Sequence, residues 1–204
     1  MGLFDSLKSI MGNKVNTTIN KTINTAATKT ANTIKSAAQT KTETFTFEKL
    51  PETLEELQAL PEAALQTPFQ AAALTVLALA MYPNNKDICF AMLDFIQGPG
   101  QVTARDSQFY ADRFRGKDYI MNSYFEGATP ANNYTPAQPF TVKISTNPYS
   151  FQDENYALLF IKSGGADSPR QVKLRAKPSA GQWFLWEQFL LSDIRIPVAQ
   201  DAWA

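Results

Sequence analysis

The sequence predicts an α+β domain: a helical half packed on one face of an antiparallel sheet of about four strands, behind an amphipathic helical or disordered tail. Three observations predict it. Chemistry breaks near Phe45, because residues 1–44 are mostly Thr, Asn, Ala, Lys and Ile, while every proline and tryptophan and all but one phenylalanine come later. Residues 50–116 carry apolar side chains at helical spacing. From Phe140 the period falls to two, with Phe140, Val142 and Ile144 alternating with Thr141, Lys143 and Ser145. Residues 1–44 are therefore read as tail and 45–204 as the domain.

In the tail, Leu3, Phe4, Leu7 and Ile10 share one helical face, opposite Asp5, Lys8 and Ser9. Val15, Ile19, Thr22, Ala26, Thr30, Thr33 and Ala37 continue an apolar stripe with an eleven-residue period, which keeps to one face of a nearly straight helix. Ile23, Ile34 and Phe45 occupy matching places in that repeat. Such Thr- and Lys-rich repeats resemble, in style, those of lipid-surface proteins such as synucleins and perilipins. Three readings stay open: a helix lying on an anionic membrane surface, pairing with other copies of the chain, and a solvated arm.

Charge supports the first of these. Six lysines stand against Asp5 and Glu43 in residues 1–44; the chain is neutral overall, so the domain is acidic. A basic arm on an acidic body favours an anionic contact.

The helices follow in order. Thr53 with Glu56 has capping-box spacing, and Leu50, Leu54, Leu57 and Leu60 form one face that Pro61 ends. Thr67-Pro68-Phe69-Gln70 supplies an N-cap, a first-turn proline and a Gln three residues on. Phe69 to Met81 is apolar nearly all round and reads as the central helix. Lys86–Gln97 and Thr103–Arg115 follow. Beyond the strand at Phe140, further strands are expected at Tyr156–Lys162, Gln171–Lys177 and Gln182–Gln188, in a meander joined by Gly/Pro/Ser turns.

Composition restricts the chemistry. Histidine is absent, which removes imidazole bases and His metal ligands, and the single Cys89 falls on an apolar helix face. No metal site or cofactor is expected. Carboxylates are the remaining acid–base groups, and none of them pair convincingly. The longest apolar run, Ala71 to Tyr82, is shorter than the ~20 residues that cross a bilayer. Together with the lone cysteine, this leads to the expectation of a cytoplasmic protein, peripheral at the inner membrane face.

Two loops carry candidate binding groups. Ser123–Pro136 holds Tyr124, Phe125 and Tyr134, which either line a pocket or pin a long crossover to the core. Ser163–Arg170 offers Asp167, Arg170 and glycine backbone that can cup an anion, or else is a plain hairpin loop. Lys143, Lys173, Arg175 and Lys177 are expected on the solvent face of the sheet, and Trp183 and Trp186 on opposite faces of one strand. Nucleic acid is not expected as a partner, because aromatic residues do not clearly interleave these cations and the domain is acidic.

The segments SYFEGATPANNYTP, SGGADSPR and QWFLWEQFLLSDIRIP (Gln182–Pro197) together resemble an uncharacterised family of bacterial domains of unknown function. The resemblance spans roughly residues 45–200 and implies a small α+β domain, with no activity attached. The expected function is a non-enzymatic binding or scaffolding protein, held at a membrane surface or in an assembly by its tail, with an unidentified protein partner. The alternative is a small-ligand binder or enzyme using the two loops.

Overall fold

A computed structural model describes residues 40–203. The tail positions Leu3, Phe4, Leu7, Ile10, Val15, Ile19, Ile23 and Ile34 lie outside the described residues. The chain enters through strand β1 (Thr42–Phe47) and leaves the sheet for four helices, α1 (Leu54–Gln58), α2 (Pro68–Ala80), α3 (Lys86–Gln97) and α4 (Ala104–Phe114). It then returns as β2 (Phe140–Ser145), β3 (Tyr156–Ile161), β4 (Arg170–Lys177) and β5 (Gln182–Gln188). The strands pair antiparallel in sequence order.

Helix α2 has no solvent side. Pro68 through Leu79 are all buried, except Gln70. The Thr67 hydroxyl accepts from the Gln70 N–H at 3.2 Å, and Gln70 Oε1 accepts from the Thr67 N–H at 3.2 Å. This reciprocal cap starts the helix where the sequence predicts it. One side of α2 meets β2 to β5 and another meets α3, so the core lies around it.

Sheet burial alternates with the pleat. Val142, Ile144, Ala157, Leu159, Ile161, Val172, Leu174 and Leu185 are buried under the helices, while Lys143, Gln171 and Arg175 face outward. This one-sided covering is the predicted α+β architecture.

The sheet has five strands, not four. Thr42, Glu43 and Thr44, counted with the tail on composition, are strand residues paired with Ser145, Ile144 and Lys143. In TETFTF the threonines are exposed, Glu43 and Phe45 are half-buried and Phe47 is buried. Phe45, which fits a slot in the helical repeat, instead lies opposite Val142. Six residues of alternating Thr and bulkier side chains suit a pleated strand better than a helix.

Two smaller differences are local. Helix α1 is a short turn beginning after Thr53, and Glu56 reaches back to the Glu52 N–H at 2.8 Å and to Lys49, rather than to the Thr53 N–H. Pro61 opens a 3-10 turn (Pro61–Ala64) as well as ending the helix.

Burial sets the alkaline behaviour of the core. The Cys89 thiol is pushed up to about 12 from an ordinary 9.0 because it is buried, and the Tyr110 hydroxyl is pushed up to about 12 from 10.0 chiefly for the same reason. Both stay protonated in the fold over the range where the unfolded chain ionises. Their stabilising effect is therefore full below about pH 9 and is lost as pH climbs toward 12. Urea unfolding measured from neutral to alkaline pH is expected to give a falling midpoint above pH 9, with Cys89→Ala flattening the first part of the fall.

Candidate functional site

The two candidate loops do meet, and they meet as a packed junction. The Ser163 hydroxyl donates to Ser123 Oγ at 2.8 Å, the Ser123 hydroxyl donates to the Ile120 carbonyl at 2.6 Å, and the Gly164 N–H donates to the Ser123 carbonyl at 2.8 Å. Gly164 lies against the Ala128 carbonyl and Gly165 against the Tyr134 hydroxyl, so close that a Cβ at either place would collide. Glycine is required here by proximity.

The aromatic residues of this junction are buried. Tyr124 donates its hydroxyl to the Leu190 carbonyl at 2.5 Å, and Tyr134 donates to the Arg195 carbonyl at 2.7 Å. Phe125 packs edge-on to Phe140, with ring centroids 5.4 Å apart. Tyr134 also stacks on Tyr119, whose own hydroxyl is buried without a hydrogen-bond partner. These side chains pin the crossover to the core, the second of the two roles that the sequence leaves open for them.

Arg170 is equally committed. Its Nε donates to the Ser192 carbonyl and one terminal nitrogen to the Asp193 carbonyl, both at 2.8 Å, so it ties the start of β4 to the chain after β5. Asp167 forms an ion pair with Arg195. Of the two readings of Ser163–Arg170, the loop joining β3 to β4 is the one observed, and its glycine N–H donors are spent within the chain.

A surface with unspent groups lies on β5 and α4. Trp186 is 52% exposed, and Phe109, Phe189 and Tyr149 near it are also exposed. Three grooves radiate from this aromatic ridge. One of about 560 Å³ runs from Gln97, Pro99 and Gly100 to Arg175, Lys177 and Trp186. A second, of about 540 Å³, lies between α4 (Arg105, Phe109, Arg113) and Trp186 and Phe189. Gln97, Asp106, Leu185 and Trp186 line both, which makes them one cleft along β5. A third, of about 330 Å³, reaches from Phe189 to Tyr149 and Tyr156 on the outer sheet face.

A β-bulge positions the ridge. Leu174 pairs with Leu185, but Lys173 pairs with Glu187, leaving Trp186 as the extra residue. The Arg175 guanidinium then covers the indole at 4.7 Å, and Tyr156 meets it edge-on at 5.7 Å. Lys173 sits over the other aromatic ring, Tyr156, at 4.7 Å and pairs with Asp153 at 3.3 Å. Lys143 pairs with Glu126.

Of this surface, sequence reasoning singled out Trp186 and the sheet cations and missed Phe109, Phe189, Tyr149 and Tyr156. Phe109 had a signal: Tyr110 and Phe114 turn to the core, and Phe109, one position off that face, does not. Among the described residues, no group of three or more Cys, Asp or Glu side chains is placed to hold a metal ion, and no helix is long and apolar enough to cross a membrane.

Fold and surface define a small α+β domain, with helices layered on one face of an antiparallel meander and an aromatic ridge at one edge strand. Residues 49–198 match the family described as Domain of unknown function (DUF6935), and the chain belongs to that family. The matched span contains all three motifs that carry the resemblance, while β1 precedes it. No curated protein and no solved structure matches the chain.

The tyrosines separate by their partners. Tyr124→Phe and Tyr134→Phe each leave a carbonyl without its donor and are expected to cost about 1 kcal/mol or more in chemical unfolding. Tyr119→Phe removes an unpartnered buried hydroxyl and is expected to leave stability unchanged or raise it by about 1 kcal/mol.

Proposed function

We propose that the chain is a non-enzymatic binding or scaffolding protein. Its body holds a protein partner on the ridge around Trp186, and its N-terminal segment attaches it to an anionic membrane surface on the cytoplasmic side, or to other copies in an assembly. The observation that carries this is the clustering of exposed Trp186, Phe189, Phe109 and Tyr149 around contiguous grooves, in a domain whose polar loops are spent on internal packing. Large aromatic side chains at the rim of a cleft are the residue types that anchor interfaces. The loop-based alternative loses support, because Tyr124, Tyr134 and Arg170 already have partners within the chain.

The tail reading rests on sequence: an apolar face of Leu3, Phe4, Leu7 and Ile10, continued by Val15 and Ile19, with lysines alongside.

Two experiments address the two halves. A photo-reactive residue replacing Trp186 in the full chain, expressed in its own cells, is expected to crosslink a defined partner that the same group at exposed Asn84 does not. Crosslinks that are the same from both positions remove the ridge as the binding surface. Full-length chain is expected to sediment with anionic vesicles, and a chain starting at Thr40 is not. Equal, negligible sedimentation ends the membrane half of the proposal.

A further inference from the structure

We infer that the cleft between α4 and β5 takes an acidic peptide segment bearing one apolar anchor residue. This deepens the binding function proposed above and rests on it. The argument is charge complementarity around an apolar wall. Arg105 and Arg113 line the α4 side of the cleft, and Arg175 and Lys177 line the strand side. None of the four has a carboxylate partner among the described residues, although six other cations of the domain do.

The carboxylates lining the same cleft do not answer this charge. Asp106 is engaged by the Thr103 N–H at 2.9 Å and the Thr103 hydroxyl at 2.7 Å. Glu187 is exposed and forms no ion pair among the described residues, since the Lys173 opposite it pairs with Asp153; the cleft therefore holds four cations against two carboxylates. An acidic domain has thus gathered unpaired cations around its most exposed internal tryptophan.

Three of the four cations are arginines, whose planar forks bind carboxylates in a bidentate way. Two already lie over aromatic rings, Arg175 over Trp186 at 4.7 Å and Arg113 over Phe109 at 5.3 Å. Stacking holds a guanidinium in place while its edge stays open to an anion, so less freedom is lost on binding. Between the two arginine-bearing walls, Leu185 and the indole of Trp186 supply the apolar floor for an anchor side chain.

Single-stranded nucleic acid fits this surface less well. Base stacking needs free ring faces. Here Tyr156 carries Lys173 at 4.7 Å and Arg175 at 5.7 Å, and Arg175 also covers Trp186. A peptide needs only the open guanidinium edges and one apolar slot.

The test uses fluorescence anisotropy on the full chain. The probes are labelled acidic peptides with a single Leu, Phe or Trp among Asp and Glu residues, their Asn/Gln counterparts, and labelled oligothymidylate. Acidic peptides are expected to bind, to weaken as salt is raised, and to exceed their amide counterparts by about tenfold or more. The double variant Arg105→Gln with Arg113→Gln keeps most of the side-chain volume and is expected to lose that preference. Trp186→Ala is expected to weaken binding about tenfold or more. Circular dichroism checks that each variant is folded; if Trp186→Ala is not, the arginine double variant decides.

The inference is overturned if acidic and amide peptides bind alike or not at all. It is also overturned if the variants bind as the parent does, or if oligothymidylate binds more tightly. A partner crosslinked through position 186 without acidic-peptide binding would keep the binding function and remove this inference alone.

Discussion

The burial of α2 on every side is the constraint on which the rest of the domain depends. A helix that is apolar all round needs a covering layer in each direction. The sheet covers one side, and the neighbouring helices and turns cover others. Because the helices are used up on α2 and one sheet face, no other element among the described residues layers over the opposite sheet face. The chain fills that face with its own short-range devices, such as Lys173 over Tyr156 and Arg175 over Trp186. Stacked cations shield rings from water without making a core, and they leave the charged edges available.

The crossover between α4 and β2 has a different burden. It must bring the chain from the helical layer back to the middle of the sheet, where β2 lies between β1 and β3. A long irregular segment carries backbone groups that need partners when they are buried. Ser123 supplies one within the crossover, at the Ile120 carbonyl, while Tyr124 and Tyr134 reach out of it to partner the Leu190 and Arg195 carbonyls in the chain after β5. Arg170 does the same for Ser192 and Asp193. The most distinctive motifs of the chain are therefore the fastenings of its crossover and its C-terminal strap. Distinctive composition marked a demand for hydrogen bonds, and the demand was structural.

This explains what was legible. The helix with a cap read from the sequence at Thr67-Pro68-Phe69-Gln70 starts where it is expected because capping is local, and the helix expected from Thr103 carries a Thr103–Asp106 cap that the sequence reading did not use. Strands β2 to β5 follow from alternation for the same reason. Strand β1 was missed because its partner, β2, is nearly a hundred residues away in sequence, and an eleven-residue pattern running through Phe45 competed with its alternation. The loop-based alternative requires the two loops to converge on a pocket; they converge as a packed junction instead. Only three-dimensional placement shows Gly164 against Ala128 and Gly165 against Tyr134.

The ridge at β5 was harder to read, and the bulge is the reason. Strict alternation from buried Leu185 sends Trp186 outward but returns Glu187 to the core and Gln188 to solvent. With one residue inserted, Glu187 faces outward beside Lys173, and Gln188 is level with buried Val172. The bulge thus keeps a carboxylate out of the core and doubles the outward run of the strand at Trp186-Glu187. It also sits on an edge strand, where unpaired backbone invites another chain. The start of that edge is closed by the Trp183 N–H donating to the Leu65 carbonyl at 2.8 Å. Beyond it, an exposed tryptophan under an arginine occupies the edge instead. A bulge that interrupts regular pairing and turns a large aromatic outward makes this edge a poor template for a further strand.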